Sequence, residues 1–136
     1  MLTEDKLYKI SKSRFAEAKI LRDSDMSDGA IYLCGYALEL ILKRHIVKRL
    51  QWDGYPEGQD FKKFQTYKTH DLDILLKLAG LEKFINSDIE RLADWQIAKG
   101  WNSEIRYNDI GSTTPEDCKK IIESIRKTLN LVYNLN

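Results

Sequence analysis

Residues 30–47 constrain the fold of this chain more than any other stretch. Drawn on a helix of about 3.6 residues per turn, apolar side chains cover nearly the whole circumference, and the main polar gap holds Tyr32, Glu39 and Lys43. A helix that is apolar on almost every side has to be surrounded by other elements. Its interruption by Glu39 and Lys43 and its length argue against a membrane span, which needs about 20 apolar residues. The stretch therefore predicts the central helix of a soluble bundle, in which Glu39 and Lys43 stand one turn apart and can pair.

Length and charge narrow the class of protein. The chain has 136 residues, enough for one domain with a sizeable core, and we treat 1–136 as a single domain. Lysine and arginine total 22 against 21 acids, a net charge of +1, which argues against a general nucleic-acid or membrane-surface binder. The first residues lack an apolar signal-peptide core, so a cytoplasmic location is expected.

The two cysteines and two histidines do not predict a metal site. Cys34 and Cys118 fall within apolar helical patterns and are expected in the core. His45, at the end of the central helix, is expected to be a partly buried structural residue. No further ligand stands at short spacing from either histidine, so no metal and no cofactor are expected.

Helical periodicity continues along the chain, and no strand pattern of useful length appears. Besides the central helix, which runs to about residue 50 and begins with Ser27 or Asp28 as its cap, four segments have helix signals. They are residues 4–23 after Thr3, a segment opened by Thr69 and closed by Gly80, a segment opened by Ser87 with apolar positions Ile89, Leu92, Ala93 and Ile97 that ends near Gly100, and a last helix capped by Thr114 before Pro115. The predicted fold is all-α, an antiparallel up-and-down four-helix bundle with one additional short helix.

Two places offer candidate chemistry. His70 and Asp71 suit a general base with its orienting carboxylate, or equally a helix cap. Arg106 lies in the non-periodic segment 101–111, where its guanidinium suits phosphate and Trp101 or Tyr107 offers a face for a base. The structural alternative is that Arg106 pairs with Glu39 and pins this segment to the bundle. No glycine-rich phosphate loop and no nucleophile turn are recognisable.

Three stretches, in this order, resemble the HEPN domain family. Residues 35–43 resemble its helix with a glutamate and a lysine four residues later, and residues 68–76 resemble its K-T-H-D-L segment. Residues 104–109 resemble its R-Y-P-D loop, although Asn108 stands where proline is usual. The resemblance implies a bundle of four or five helices that is often a homodimer. It also implies an association with minimal nucleotidyltransferases in toxin–antitoxin or phage-defence systems, and metal-independent endoribonuclease activity in some members.

The chain departs from the ribonuclease branch of that family. In that branch a histidine follows an arginine by four to six residues, whereas Ile110, Gly111 and Ser112 follow Arg106 at that distance. Ribonuclease activity is therefore not expected, and we predict no catalytic residue. The sequence favours a non-catalytic module that binds a nucleotide or a nucleotidyltransferase partner, with binding residues Glu39, Lys43, His70, Trp101, Arg106 and Tyr107. The alternatives are a divergent ribonuclease that uses His70 or His45, and a protein-interaction domain in which Glu39, Lys43 and Arg106 only hold the bundle together.

Overall fold

A computed structural model describes residues 1–135. They form six α-helices, which are α1 (Glu4–Asp23), α2 (Ser27–Leu50), α3 (Leu72–Leu78), α4 (Glu82–Asn86), α5 (Ile89–Ala98) and α6 (Pro115–Tyr133). Three short 3-10 turns lie in the connections, at Gly58–Lys62, Gln65–Tyr67 and Ser103–Tyr107. This part of the chain contains no strand, only an isolated backbone bridge between Leu2 and Tyr55. The predicted all-α bundle is confirmed.

The central position of α2 is also confirmed. It packs against α1, α3 and α6, and the side chains of Leu38, Ile41, Leu42 and Ile46 are fully buried on successive turns. The α1 helix runs antiparallel to it, because the Ser11 hydroxyl donates to the Ala37 carbonyl while Leu21 contacts Gly29. A helix with apolar side chains all round is thus covered from several directions, as burial of that surface requires.

The number of helices differs from the prediction of four long helices and one short one. Three helices are long, α5 has ten residues, and α3 and α4 have seven and five. Gly80 divides this region at the predicted place, with φ +73° after the end of α3. The chain then turns twice within a few residues, and the Trp95 indole of α5 donates to Asp73 of α3.

Two predicted caps are confirmed and three are wrong. Thr3 and Thr114 accept backbone N–H groups at the starts of α1 and α6. The N-cap of α2 is Met26, which makes no side-chain cap, and Ser27 and Asp28 lie inside the helix. Asp71 rather than Thr69 caps α3, and Asp88 rather than Ser87 caps α5. Several capping-type residues stand side by side at these three starts, and only the backbone geometry chooses among them.

Cys34 and Cys118 are both fully buried, as predicted. Burial raises the pKa of both thiols, so they remain neutral core side chains. No helix in the described part of the chain is long and apolar enough to cross a membrane. Residues 1–135 also contain no group of three or more histidine, cysteine, aspartate or glutamate side chains placed to hold a metal ion.

Candidate functional site

A buried ion pair lies on α2, beside His70 in the segment that precedes α3. Glu39 is 2% exposed, and its Oε2 accepts from the Lys43 ammonium at 3.3 Å. The pairing follows from the helix itself, since residues four apart share a face, and it was predicted. Burial of a carboxylate is tolerated only where it is paired and hydrogen-bonded. The other oxygen of Glu39, Oε1, therefore needs a hydrogen-bond partner of its own.

The second partner is His70. Its Nδ1 lies 2.8 Å from Oε1 of Glu39. An ionised carboxylate only accepts hydrogen bonds, so Nδ1 carries the proton, and Nε2 of the neutral ring is left as an acceptor. The side chain of His70 is 65% exposed. A buried carboxylate thus fixes both the tautomer and the orientation of an accessible imidazole. The sequence suggested Asp71 as the orienting carboxylate, which is wrong, because Asp71 caps α3 instead.

Tyr55 contacts the same group of side chains, and it was not predicted as a site residue. Its hydroxyl donates to the Tyr67 carbonyl at 2.7 Å, three residues before His70, and its ring centroid lies 5.1 Å from the Lys43 ammonium. Burial first, and then the charge of Glu39, raises the pKa of Tyr55, so the phenol stays a neutral donor. We call Glu39, Lys43, Tyr55 and His70 the α2 cluster. Lys43 is enclosed in it and is 9% exposed.

A cleft of about 340 Å³ opens beside His70. The start of α3 forms one wall, and the residues that follow α5 form the other. Its lining consists of His70, Asp71, Leu72, Lys99, Gly100, Trp101, Asn102 and Ser103. The ammonium of Lys99 has only a distant carboxylate, Asp73, at 3.8 Å. An imidazole, an ammonium and two small polar side chains around one opening suit a ligand that carries negative charge.

Trp101 forms the inner edge of the cleft. It is 5% exposed and packs against α2, where a Cβ added to Gly35 would come within 2.2 Å of the indole ring. Its centroid lies 6.2 Å from that of Tyr32. The predicted face for a base is therefore covered by α2 in this structure. Gly35, which nothing in the periodicity singled out, is what allows the indole to approach the helix.

Arg106 and Tyr107 lie apart from the α2 cluster. The guanidinium of Arg106 donates to the Ser103 carbonyl and stacks 4.8 Å from the Tyr107 ring. Hydrogen bonds to the side chains of Tyr107 and Tyr32 raise its pKa. Both residues are exposed. The interpretation that Arg106 pairs with Glu39 is wrong, because Lys43 and His70 occupy both oxygens of that carboxylate.

His45 takes no part in the cleft. Half-burial, and then the charges of Lys48, Arg44 and Arg49, lower its pKa. It is therefore held neutral near the basic end of α2, in line with the structural function predicted for it.

Comparison with known proteins decides the family. The sequence model of the HEPN domain family matches residues 5–135. The chain belongs to the HEPN domain family. Searches of curated proteins and of solved structures found no match to the chain.

The site of this HEPN domain combines two of the three stretches that resembled the family. Residues 35–43 supply Glu39 and Lys43, and residues 68–76 supply His70, which the fold brings to Glu39 across 31 positions. The third stretch, residues 104–109, forms a separate exposed surface. Tyr55 and Lys99 were missed because they stand in stretches with no motif. Gly35 opens the stretch 35–43, but nothing in that stretch indicated that a ring would pack on it.

Proposed function

We propose that this HEPN domain is a non-catalytic binding module that holds a phosphate group, from a nucleotide or a nucleotide-bearing partner, in the His70 cleft. The orientation of His70 by Glu39 carries the proposal. Glu39 engages Nδ1, which leaves Nε2 for a ligand in the cleft, and a ring that takes up a proton together with a phosphate donates Nε2–H to it as a charge-assisted hydrogen bond. Lys99 on the opposite wall adds a second positive charge.

Under the same proposal, Arg106 and Tyr107 form a second contact surface outside the cleft. Their guanidinium and ring are exposed and stacked on each other, an arrangement that suits a base or a second phosphate of a longer ligand. The family resemblance supports two protein partners, a second copy of the chain and a minimal nucleotidyltransferase. It also supports a cytoplasmic toxin–antitoxin or phage-defence setting.

A titration with ATP, GTP and a short RNA, followed by calorimetry and by tryptophan emission, tests the proposal. Trp101 borders the cleft, so occupancy changes its environment. We expect saturable binding that His70→Ala weakens by about tenfold or more, as for the loss of a charge-assisted hydrogen bond. The matched control is Arg106→Ala, which removes a cation outside the cleft. Binding that is unchanged in His70→Ala but lost in Arg106→Ala would move the site to the exposed loop.

The Glu39–His70 pair favours one second candidate, metal-independent RNA cleavage. In that reaction Nε2 of His70 accepts the proton of a ribose 2′-hydroxyl, and the 2′-oxygen attacks the adjacent phosphorus. The bond from phosphorus to the 5′-oxygen of the next nucleotide breaks, the 5′-oxygen takes a proton from water, and a 2′,3′-cyclic phosphate remains. Glu39 stabilises the imidazolium while it exists. The test is incubation with single-stranded RNA and tRNA in the presence of a chelator. Cleavage abolished by both His70→Ala and Glu39→Gln supports this function, and intact RNA after prolonged incubation rejects it.

A further inference from the structure

A groove of about 610 Å³ lies between α5 and the C-terminal half of α6. This volume is within the usual range of ligand pockets, about 300–1,000 Å³. Three half-buried apolar side chains contribute to its lining, those of Phe84, Leu131 and Leu135. The groove shares no residue with the His70 cleft. A ligand bound here is therefore independent of the one proposed for that cleft.

The polar side chains of the groove fall into two sets. The first set is engaged within the chain, by a helix cap, a carbonyl, a hydroxyl or an ion pair, and consists of Asp88, Arg91, Asp94 and Arg126. The second set makes no hydrogen bond and no ion pair with other side chains or backbone of residues 1–135, and consists of Glu90, Lys127, Asn130 and Asn134. All four members of the second set are exposed. They are the groups that a ligand in the groove meets.

The two asparagines are spaced like alternate residues of an extended peptide. The N–H of Asn134 donates to the Asn130 carbonyl at 3.2 Å, so the two stand one helical turn apart on the same side of α6. Four residues of helix rise by about 6 Å. Two residues of an extended chain span about 6.6–6.8 Å, and alternate residues direct their backbone N–H and C=O groups toward the same edge.

The chemistry of the amide side chain fits the same ligand. An asparagine offers one carbonyl acceptor and an NH₂ donor, and a peptide residue offers one N–H donor and one carbonyl acceptor. One asparagine can therefore pair with both backbone groups of one residue, and two asparagines a turn apart can hold a residue and the next but one. Residues 126–134 rise by about 12 Å, the length of about four extended residues.

We propose that this groove binds an extended peptide segment of a partner protein, with Asn130 and Asn134 paired to the backbone of two alternate residues. Backbone pairing supplies affinity in such complexes, and the pockets beside it select side chains. Here an apolar side chain packs on Leu131 and Leu135. An acidic side chain faces Lys127 on α6, and a basic one faces Glu90 on α5.

Charge favours a peptide over a nucleic acid as the occupant. Three acidic and three basic side chains line the groove, so their formal charges cancel. A nucleic-acid site instead carries an excess of lysine and arginine, because each phosphate has to be neutralised. A peptide with one acidic and one basic side chain complements the two charges, Glu90 and Lys127, that have no partner among the described residues.

Selection from a library of random linear heptapeptides displayed on phage tests the proposal. The protein is the full chain, and the counter-selection uses the double variant Asn130→Ala and Asn134→Ala. We expect enriched peptides that carry an apolar residue between opposite charges. In fluorescence anisotropy with the synthesised peptides, each single variant should weaken binding by about tenfold, as for the loss of a pair of hydrogen bonds. Failure to enrich any peptide over the double variant would overturn the proposal.

The matched control is Asn108→Ala, which removes an exposed asparagine outside the groove. It should bind the peptides as the parent does, and an equal loss in this variant would also overturn the proposal. Far-ultraviolet circular dichroism checks that the variants, all at exposed positions, keep their helices.

Methylation of the peptide backbone tests the pairing itself. Each amide nitrogen of a selected peptide is methylated in turn. We expect a loss of about tenfold or more at two nitrogens two residues apart and a much smaller effect at the nitrogen between them, because alternate N–H groups of an extended chain point to opposite edges. Losses without this period would reject an extended backbone in the groove.

Two other occupants give different results in the same variants. If oligouridylate binds the parent and Asn130→Ala weakens it while the selected peptides do not compete, the groove is a nucleic-acid site. If the parent self-associates in sedimentation experiments and the double variant does not, the occupant is a second copy of the chain. Either result would replace the peptide segment of a partner.

Discussion

The α2 cluster and the 101–114 segment differ in the burial of their charged side chains and in the groups that hold them. In the α2 cluster, Glu39 and Lys43 belong to a regular helix and lie buried against each other, with His70 as the one accessible member. In the 101–114 segment, Arg106 stays exposed and is held by its own neighbours, the Ser103 carbonyl and the Tyr107 ring. The Arg106 segment looks more like a binding site in the sequence, yet its functional group is exposed and held only by surface contacts. Orientation of a functional group came from burial of its partner, not from its position in a loop.

The largest expected effect is that of Glu39→Ala, which removes the buried centre of the α2 cluster. Lys43 would be left buried without its counter-charge, and we expect a loss of about 3–5 kcal/mol in the free energy of unfolding. Denaturant unfolding measures it. The contrasting variant is Arg106→Ala, expected to stay within about 0.5 kcal/mol of the parent because its contacts are on the surface. Similar losses in the two variants would erase the distinction between the regions.

Gly35→Ala probes the border between the two regions. The added Cβ would lie 2.2–2.3 Å from three indole atoms of Trp101, so the ring and the start of the 101–114 segment must move. We expect a loss of about 1–3 kcal/mol, as for overpacking elsewhere, with a red shift in tryptophan emission. The control on the same helix is Gly29→Ala, whose Cβ meets only the end of the Leu21 side chain, at 3.3 Å. An unshifted emission spectrum in Gly35→Ala would contradict the packing described.

Tyr55→Phe sharpens the description of the α2 cluster. The ring over Lys43 remains, and only the hydroxyl donated to the Tyr67 carbonyl is removed. We expect a loss of about 0.5–1.5 kcal/mol, the net contribution of one hydrogen bond. His70 should also become more mobile, which nuclear magnetic resonance of its ring would detect. If the ring signals of His70 do not change, Tyr55 does not help to orient it.

The smallest expected effect concerns Asp28, which anchors the far end of the 101–114 segment. Its carboxylate accepts the backbone N–H groups of Gly111 and Thr113, and these bonds lower its pKa below the usual 3.8. A depressed pKa contributes stability above the unfolded value, and that contribution is lost as pH falls through the folded value. Asp28→Asn should therefore speed amide exchange at Gly111 and Thr113 at neutral pH.

The pH dependence supplies the control for that prediction. The difference between parent and Asp28→Asn is expected to be constant well above pH 3.8 and to shrink below it. A difference that persists unchanged in acid would mean that the carboxylate charge is not what holds the segment.

Much of the fold followed from local pattern. The apolar circumference of residues 30–47 required a central helix, and the spacing of Glu39 and Lys43 fixed their contact, because helix geometry alone places such residues together. Thr3, Thr114 and Gly80 acted as predicted at helix ends. The family could be recognised for the same reason, since its motifs are short runs of sequence.

Tertiary structure decided what the local pattern left open. His70 meets Glu39 across 31 positions, and Asp28 meets Gly111 across 83. Trp101 takes its place only because Gly35 has no side chain. The apolar spacing of Ile89, Ala93 and Ile97 predicted a helix, which is α5, but these side chains are exposed and the core face of α5 is supplied by Trp95 and Ala98. Periodicity gives the angle between side chains around one helix, whereas the direction in which a face points depends on the packing of all the helices together.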